Sequence, residues 1–195
     1  MPSWKHSKHP KIVLIGASTG GPGHIKKILS SLVRNSKATI IIAQHMGAEF
    51  IPSFIRQLNS NCFFEVEEAS NNKLLSAATV YVCSSQTSVE MGLNGLSFKQ
   101  QPLRPNHYNP DINYLFSSVS KISDKVRMLG VILTGIGNDG ALGCKLLSEK
   151  GARCVAECES TAIVNGMPLQ AKKITTDLDI LPLEKIINLI NTWAI

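Results

Sequence analysis

The apolar run Ile12-Val13-Leu14-Ile15 passes directly into Gly16-Ala17-Ser18-Thr19-Gly20, and apolar residues then return at Ile25, Ile28, Leu29 and Leu32. The first run has the length of a buried strand, and the second has the i, i+3, i+4, i+7 spacing of a helix. The spacing therefore predicts a strand that turns sharply into a helix at Ser18. Glycines flanking a serine on such a turn lift its hydroxyl clear of the backbone, and the helix start offers unpaired N–H donors to a developing oxyanion. The same pentapeptide also fits a helix cap at Ser18 or a phosphate cradle, and glycine-rich motifs this short occur by chance.

Strand and helix patterns continue to alternate. Thr39-Ile40-Ile41-Ile42-Ala43 predicts a second strand, and Ile51, Phe54, Ile55 and Leu58 mark the apolar face of the helix after it. Residues 62–66 and 79–83 read as short strands, and residues 89–98 contain Asn94-Gly95, a dipeptide favoured in two-residue hairpins. Ile112, Leu115, Phe116, Val119 and Ile122 mark a helix with Asp111 as its candidate cap. A strongly apolar strand follows at 128–133, then a helix at 141–150 stopped by Gly151, a strand at 153–156 and a closing helix at 183–192. Such alternation implies right-handed crossovers. The predicted fold class is α/β: three layers, with a mostly parallel doubly wound sheet and an antiparallel hairpin.

Neither a long linker nor a low-complexity tract divides the 195 residues, so residues 11–195 read as one domain behind a tail of residues 1–10. The chain is 44% hydrophobic and 17% charged, and its apolar runs are far too short to span a bilayer, so no membrane insertion is expected. The stretch from Met1 to Lys11 carries Trp4, His6 and His9 but no apolar core of a secretory signal, so the expected location is the cytoplasm. Five cysteines, at 62, 83, 144, 154 and 158, are odd in number and form no C-x-x-C spacing. They suggest buried free thiols rather than disulfides or a zinc site. The net charge of +6 favours an acidic partner, but the lysines are dispersed and no basic run alternates with aromatics, so nucleic acid is not the expected partner.

In an open parallel sheet, ligands bind beyond the carboxyl ends of the strands. Ser18, His45 and Asp139 each lie just beyond a predicted strand, the last in the loop Thr134-Gly135-Ile136-Gly137-Asn138-Asp139-Gly140. A serine, a histidine and an aspartate at three strand ends are the parts of an acyl-transfer triad. Taken singly, His45 fits a structural histidine and Asp139 a helix cap. His6, His9, His24 and His107 fit structural roles better, since none directly follows a buried strand. The order Ser, His, Asp differs from that of the α/β-hydrolases. A dinucleotide loop built on Gly16, Gly20, Gly21 and Gly23 is the alternative. It lacks G-x-G-x-x-G and an acidic residue after the second strand.

These residues also carry a resemblance. Gly16-Ala17-Ser18-Thr19-Gly20-Gly21-Pro22, Gln44-His45-Met46, Leu115-Phe116, Leu133-Thr134-Gly135-Ile136-Gly137-Asn138-Asp139-Gly140 and Gly166-Met167-Pro168 are similar, in this order, to the CheB family of chemotaxis protein-glutamate methylesterases. The likeness runs from about Lys11 to the C-terminus. It implies Ser18 as nucleophile, His45 as general base and Asp139 as the carboxylate that orients the imidazole. Backbone N–H groups at Thr19 and Ile136 would receive the oxyanion, with no metal or organic cofactor. The implied partners are the methylated cytoplasmic helices of chemoreceptors, with glutamine deamidation as a second activity and receptor binding without turnover as the alternative. The chain departs from the family at Ile136, usually methionine, and at Asn113, usually aspartate. Ser84-Ser85-Gln86-Thr87-Ser88 also replaces a glycine-rich, histidine-bearing stretch; Ile136 falls in the oxyanion region, and the other departures are expected to alter contacts at the substrate rim. Family members commonly carry a phosphorylatable receiver domain ahead of the esterase, which needs on the order of a hundred residues. Met1 to Lys11 cannot form one, so a phosphodonor is expected to leave this chain's activity unchanged.

Overall fold

The structure is a computed structural model that describes residues 10–102 and 108–195. His6, His9 and His107 lie outside the described residues. The chain runs β1 (Lys11–Ala17), α1 (Gly21–Ser30), β2 (Thr39–Gln44), α2 (Ile51–Asn59), β3 (Glu65–Glu68), β4 (Thr79–Val82), β5 (Gln86–Gly92) and β6 (Gly95–Gln101). It continues as α3 (Ile112–Ser120), β7 (Arg127–Ile132), α4 (Ala141–Glu149), β8 (Arg153–Glu157), α5 (Gly166–Ile174), β9 (Leu178–Leu181) and α6 (Leu183–Ala194). Seven strands form one sheet in the order β3-β4-β2-β1-β7-β8-β9, and every neighbouring pair is parallel. The hairpin β5/β6 stands apart as a two-stranded antiparallel sheet.

Strand β1 shows how the sequence divides the core. Its odd residues Val13, Ile15 and Ala17 pack on one face with Ile25, Ile28 and Leu29 of α1, Phe54 and Leu58 of α2 and Ile186 and Ile190 of α6. Its even residues Ile12 and Leu14 pack on the other face with Leu115, Phe116 and Val119 of α3, Leu147 of α4, Met167 of α5 and Phe98 of the hairpin. Both faces of the strand are covered, so it reads as an unbroken apolar run rather than an alternating one. The expected three-layer α/β architecture is the one observed.

Several local expectations shift. Residues 62–64 are not strand: the Asn59 side chain grips Val66 at both its N–H (2.9 Å) and its carbonyl (2.8 Å), and β3 begins only at Glu65. Phe63 instead lies at the surface under the Arg34 guanidinium, 3.8 Å from its ring centroid. Gly92 pairs with Gly95, so Leu93 and Asn94, not Asn94 and Gly95, turn the hairpin. Helix α5 and strand β9 were not anticipated. Asp111 does cap α3, its Oδ1 accepting the Tyr114 N–H at 2.7 Å.

From β1 the chain steps one way to β2, and from β7 the opposite way to β8 and β9, so β1 and β7 flank the point where the winding reverses. Loops leaving the carboxyl ends of two such strands diverge and leave a crevice.

Candidate active site

Ser18 is the first residue after β1, and the crevice at the reversal of winding is where the chain sets it. Its N–H donates to the Thr134 carbonyl beyond β7 at 3.0 Å, while its own carbonyl accepts from Gly21 N–H (2.8 Å) and from Gln44 Nε2 (2.9 Å). The helix start is not capped by the serine: Gly20 holds that position with φ +84° and no side-chain cap bond. The Ser18 hydroxyl has no hydrogen-bond partner among the described residues and stays free for chemistry.

Gly135 explains why β7 can approach so closely. A Cβ there would stand 2.7 Å from the Ser18 Cβ and would also press on the Met167 sulfur, so the loop after β7 reaches the nucleophile turn only without a side chain. The Gly135 carbonyl accepts from Met167 N–H at 2.9 Å, and its N–H donates to Val164 at 2.9 Å. The segment before α5 therefore completes the wall, and with it comes an element that the apolar pattern did not announce.

His45 follows β2, and its N–H donates to the Ala17 carbonyl at 2.9 Å, which ties it to the residue before Ser18. Its Nε2 meets Asp139 Oδ2 at 2.8 Å, with the imidazole 13% and the carboxylate 0% exposed. Asp139 does not cap the helix that follows it, since Gly140 holds the cap position of α4 without a side-chain bond. Its carboxylate instead accepts from Ile112 N–H (2.8 Å) and Asn113 N–H (2.9 Å) at the start of α3, and from Gly140 N–H (2.9 Å). A helix N-terminus and an imidazole thus share one buried carboxylate.

Thr19 is exposed and Ile136 is 62% exposed, and the N–H groups of both lack an acceptor among the described residues. Of the departures read from the sequence, Ile136 stays exposed at the site, while Asn113 and the 86–88 segment take packed positions. Asn113 Oδ1 accepts the Gly143 N–H at 2.7 Å and joins α3 to α4, while Gln86, Thr87 and Ser88 are buried in β5. These side chains also tie together the elements that pack around the site.

Three residues near the site were given no role by sequence reasoning. Gln44 bridges the Ser18 and His45 carbonyls through Nε2, at 2.9 and 3.0 Å. Tyr108 stacks on His45. Glu157, fully buried at the end of β8, accepts the Thr134 N–H at 3.0 Å and faces His24 Nδ1 at 3.1 Å, so His24 pairs with a carboxylate. A charged residue closing the apolar run Cys154-Val155-Ala156 was the available signal. Three cysteines, Cys83, Cys144 and Cys154, are buried as expected, but Cys62 and Cys158 are partly exposed. Among the described residues no group of His, Cys, Asp and Glu is placed to hold a metal ion, and no helix is long and apolar enough to cross a membrane.

A free hydroxyl, an imidazole–carboxylate pair and unpaired backbone donors at the winding reversal of a parallel sheet define an α/β protein with the parts of a hydrolase. Comparison with known proteins narrows that class. The family model described as CheB methylesterase matches residues 13–190. The chain is 33% identical over 185 residues to the protein-glutamate methylesterase/protein-glutamine glutaminase 3 of Rhodospirillum rubrum, covering 93% of this chain and 50% of that protein. It is 38% identical over 169 residues to the protein-glutamate methylesterase/protein-glutamine glutaminase of Lawsonia intracellularis, covering 84% and 47%. The crystal structure of the Thermotoga maritima CheB methylesterase catalytic domain superposes with a TM-score of 0.85 at 28% identity, covering 94% of this chain and 98% of that one. The chain belongs to the CheB methylesterase family. It spans about half the length of the curated relatives it matches.

Proposed function

We propose that residues 11–195 form a serine-dependent protein-glutamate methylesterase catalytic domain that acts in the cytoplasm on methylated glutamates of chemoreceptor helices. The observation that carries the reading is the 2.8 Å contact of His45 Nε2 with a buried Asp139, on an imidazole tied by its backbone to the residue before Ser18. With the proton on Nε2 engaged by the carboxylate, Nδ1 is left as the basic nitrogen.

Ser18 Oγ attacks the ester carbonyl as His45 Nδ1 takes its proton, and the N–H groups of Thr19 and Ile136 receive the oxyanion. The C–OCH₃ bond breaks and the departing oxygen takes that proton, releasing methanol and leaving a glutamyl ester on Ser18. Water then attacks the acyl-enzyme, His45 accepts its proton and returns it to Ser18 Oγ, and the receptor keeps a free carboxylate. Protein groups and water suffice for each step. Glutamine deamidation follows the same course with ammonia as the leaving group, and the relatives' names carry both activities. A net charge of +6 favours approach to acidic receptor helices.

Methylated receptor membranes incubated with the chain should release methanol, and glutamine-bearing receptors should release ammonia. Receptor binding without methanol would contradict the reading and leave an interaction domain.

A further inference from the structure

Tyr108 is 42% exposed, yet its ring lies flat on the His45 imidazole, with centroids 4.8 Å apart and planes 7° from parallel. An exposed aromatic has no core to hold it, so other contacts must fix that geometry. Gln86, buried on β5, supplies them: its Nε2 donates to the Tyr108 carbonyl and to Asn109 Oδ1, both at 2.8 Å, and its Oε1 accepts the Asp111 N–H at 3.0 Å. At the far end of the ring the Tyr108 hydroxyl reaches Asn138 Oδ1 at 3.4 Å, beside Asp139. The loop after β7 is moulded to it, since a Cβ on Gly137 would come within 2.5 Å of that hydroxyl. The hairpin, the segment before α3 and the loop after β7 thus converge on one ring above the imidazole.

We propose that Tyr108 is a positioning residue for His45, holding the imidazole edge-on to Asp139 and Ser18 by occupying its face. This deepens the esterase reading and rests on it. A hydrogen bond would consume a ring nitrogen, whereas a stacked ring leaves both in-plane nitrogens for the carboxylate and the serine. The electron-rich face also stabilises the imidazolium formed when the serine proton is taken, and it keeps water off the Nε2–H to Asp139 contact. Gln86 acts one step further out, through the Tyr108 backbone.

Tyr108→Phe, Tyr108→Ala and Tyr108→Leu separate these contributions, read by ester hydrolysis, by thermal unfolding and by the exchange rate of the His45 Nε2 proton with water in ¹⁵N-edited NMR. The expected result is a kcat about tenfold lower for Tyr108→Ala and Tyr108→Leu with KM within twofold, and proton exchange at least tenfold faster. Tyr108→Phe should stay within about threefold of the parent chain in both. Unchanged proton exchange and kcat in the alanine and leucine variants would overturn the proposal, as would a phenylalanine variant as impaired as alanine. The leucine variant keeps apolar bulk should alanine fail to fold. The NMR readout needs no turnover, so it tests Tyr108 even on a chain that hydrolyses nothing, which would count against the esterase reading alone.

Discussion

Asp139 accepts four hydrogen bonds, from His45, Ile112, Asn113 and Gly140, and is closed off from water. One carboxylate therefore fixes the imidazole and anchors the start of α3, so its loss should register in two measurements. Asp139→Ala is expected to slow hydrolysis by about 10³–10⁴, less than removal of the nucleophile. It should also lower stability by about 2–5 kcal/mol, because three backbone N–H groups lose their acceptor in a buried place. Activity assay and denaturant unfolding check the two effects, and a variant that loses neither would contradict the shared role. Ser18, His45 and Asp139 could be picked out as candidates from the sequence because each lies just beyond an apolar run at the same edge of a parallel sheet, Asp139 in the loop after it. Gln44, Tyr108 and Glu157 could not. Their importance depends on which backbone groups and rings they meet across the fold, and nothing in their own segments specifies those partners.

At the scale of elements, the strand-to-helix turn at Ser18 depends on the left-handed Gly20, where φ is +84° and a Cβ would meet Ile163 at 2.7 Å. Gly20→Ala should cost about 2 kcal/mol in stability from the conformation and the crowding together, and hydrolysis should fall further than stability as the turn carrying Ser18 shifts. A variant with parent-level unfolding midpoint and activity would show the turn to be tolerant. The long buried strands β1, β2 and β7 were readable since they are continuous apolar runs, and α3 since its period and its Asp111 cap agree. Helix α5 was hidden by Pro168 in its first turn and by Lys172 and Lys173 in its last, which dilute the apolar face to Met167 and Ala171. Strand β9 is short and only part-buried, so its pattern carries little signal. The hairpin was found but its turn was misplaced by one residue, because the dipeptide rule does not see the Gly92–Gly95 pairing that closes it.

For the whole molecule, the reversal of winding between β1 and β7 is what gathers the segments carrying residues 18, 45 and 139, which lie 27 (45 − 18) and 94 residues apart in sequence. The core that holds this sheet together contains thiols whose burial matters at high pH. Burial pushes the Cys83 thiol from 9.0 up to about 12, and Cys144 is raised as well, chiefly by its hydrogen bond to Cys154 and then by burial. A raised pKa in the folded state favours the neutral thiol. The Cys83 contribution is therefore fully present below about pH 9 and is lost as pH climbs from there to about 12, at about 1.4 kcal/mol per pH unit for one thiol. The stability difference between the chain and Cys83→Ala should shrink across that window in unfolding experiments, and curves that stay parallel would contradict the assignment.

The most direct test of the account is methanol release from methylated receptor membranes by the chain and by Ser18→Ala, with folding and receptor binding followed in parallel. The serine variant should fold and bind as the parent does, yet lose on the order of 10⁴–10⁶ in kcat. A Ser18→Ala chain that still releases methanol at a third of the parent rate would contradict the serine mechanism.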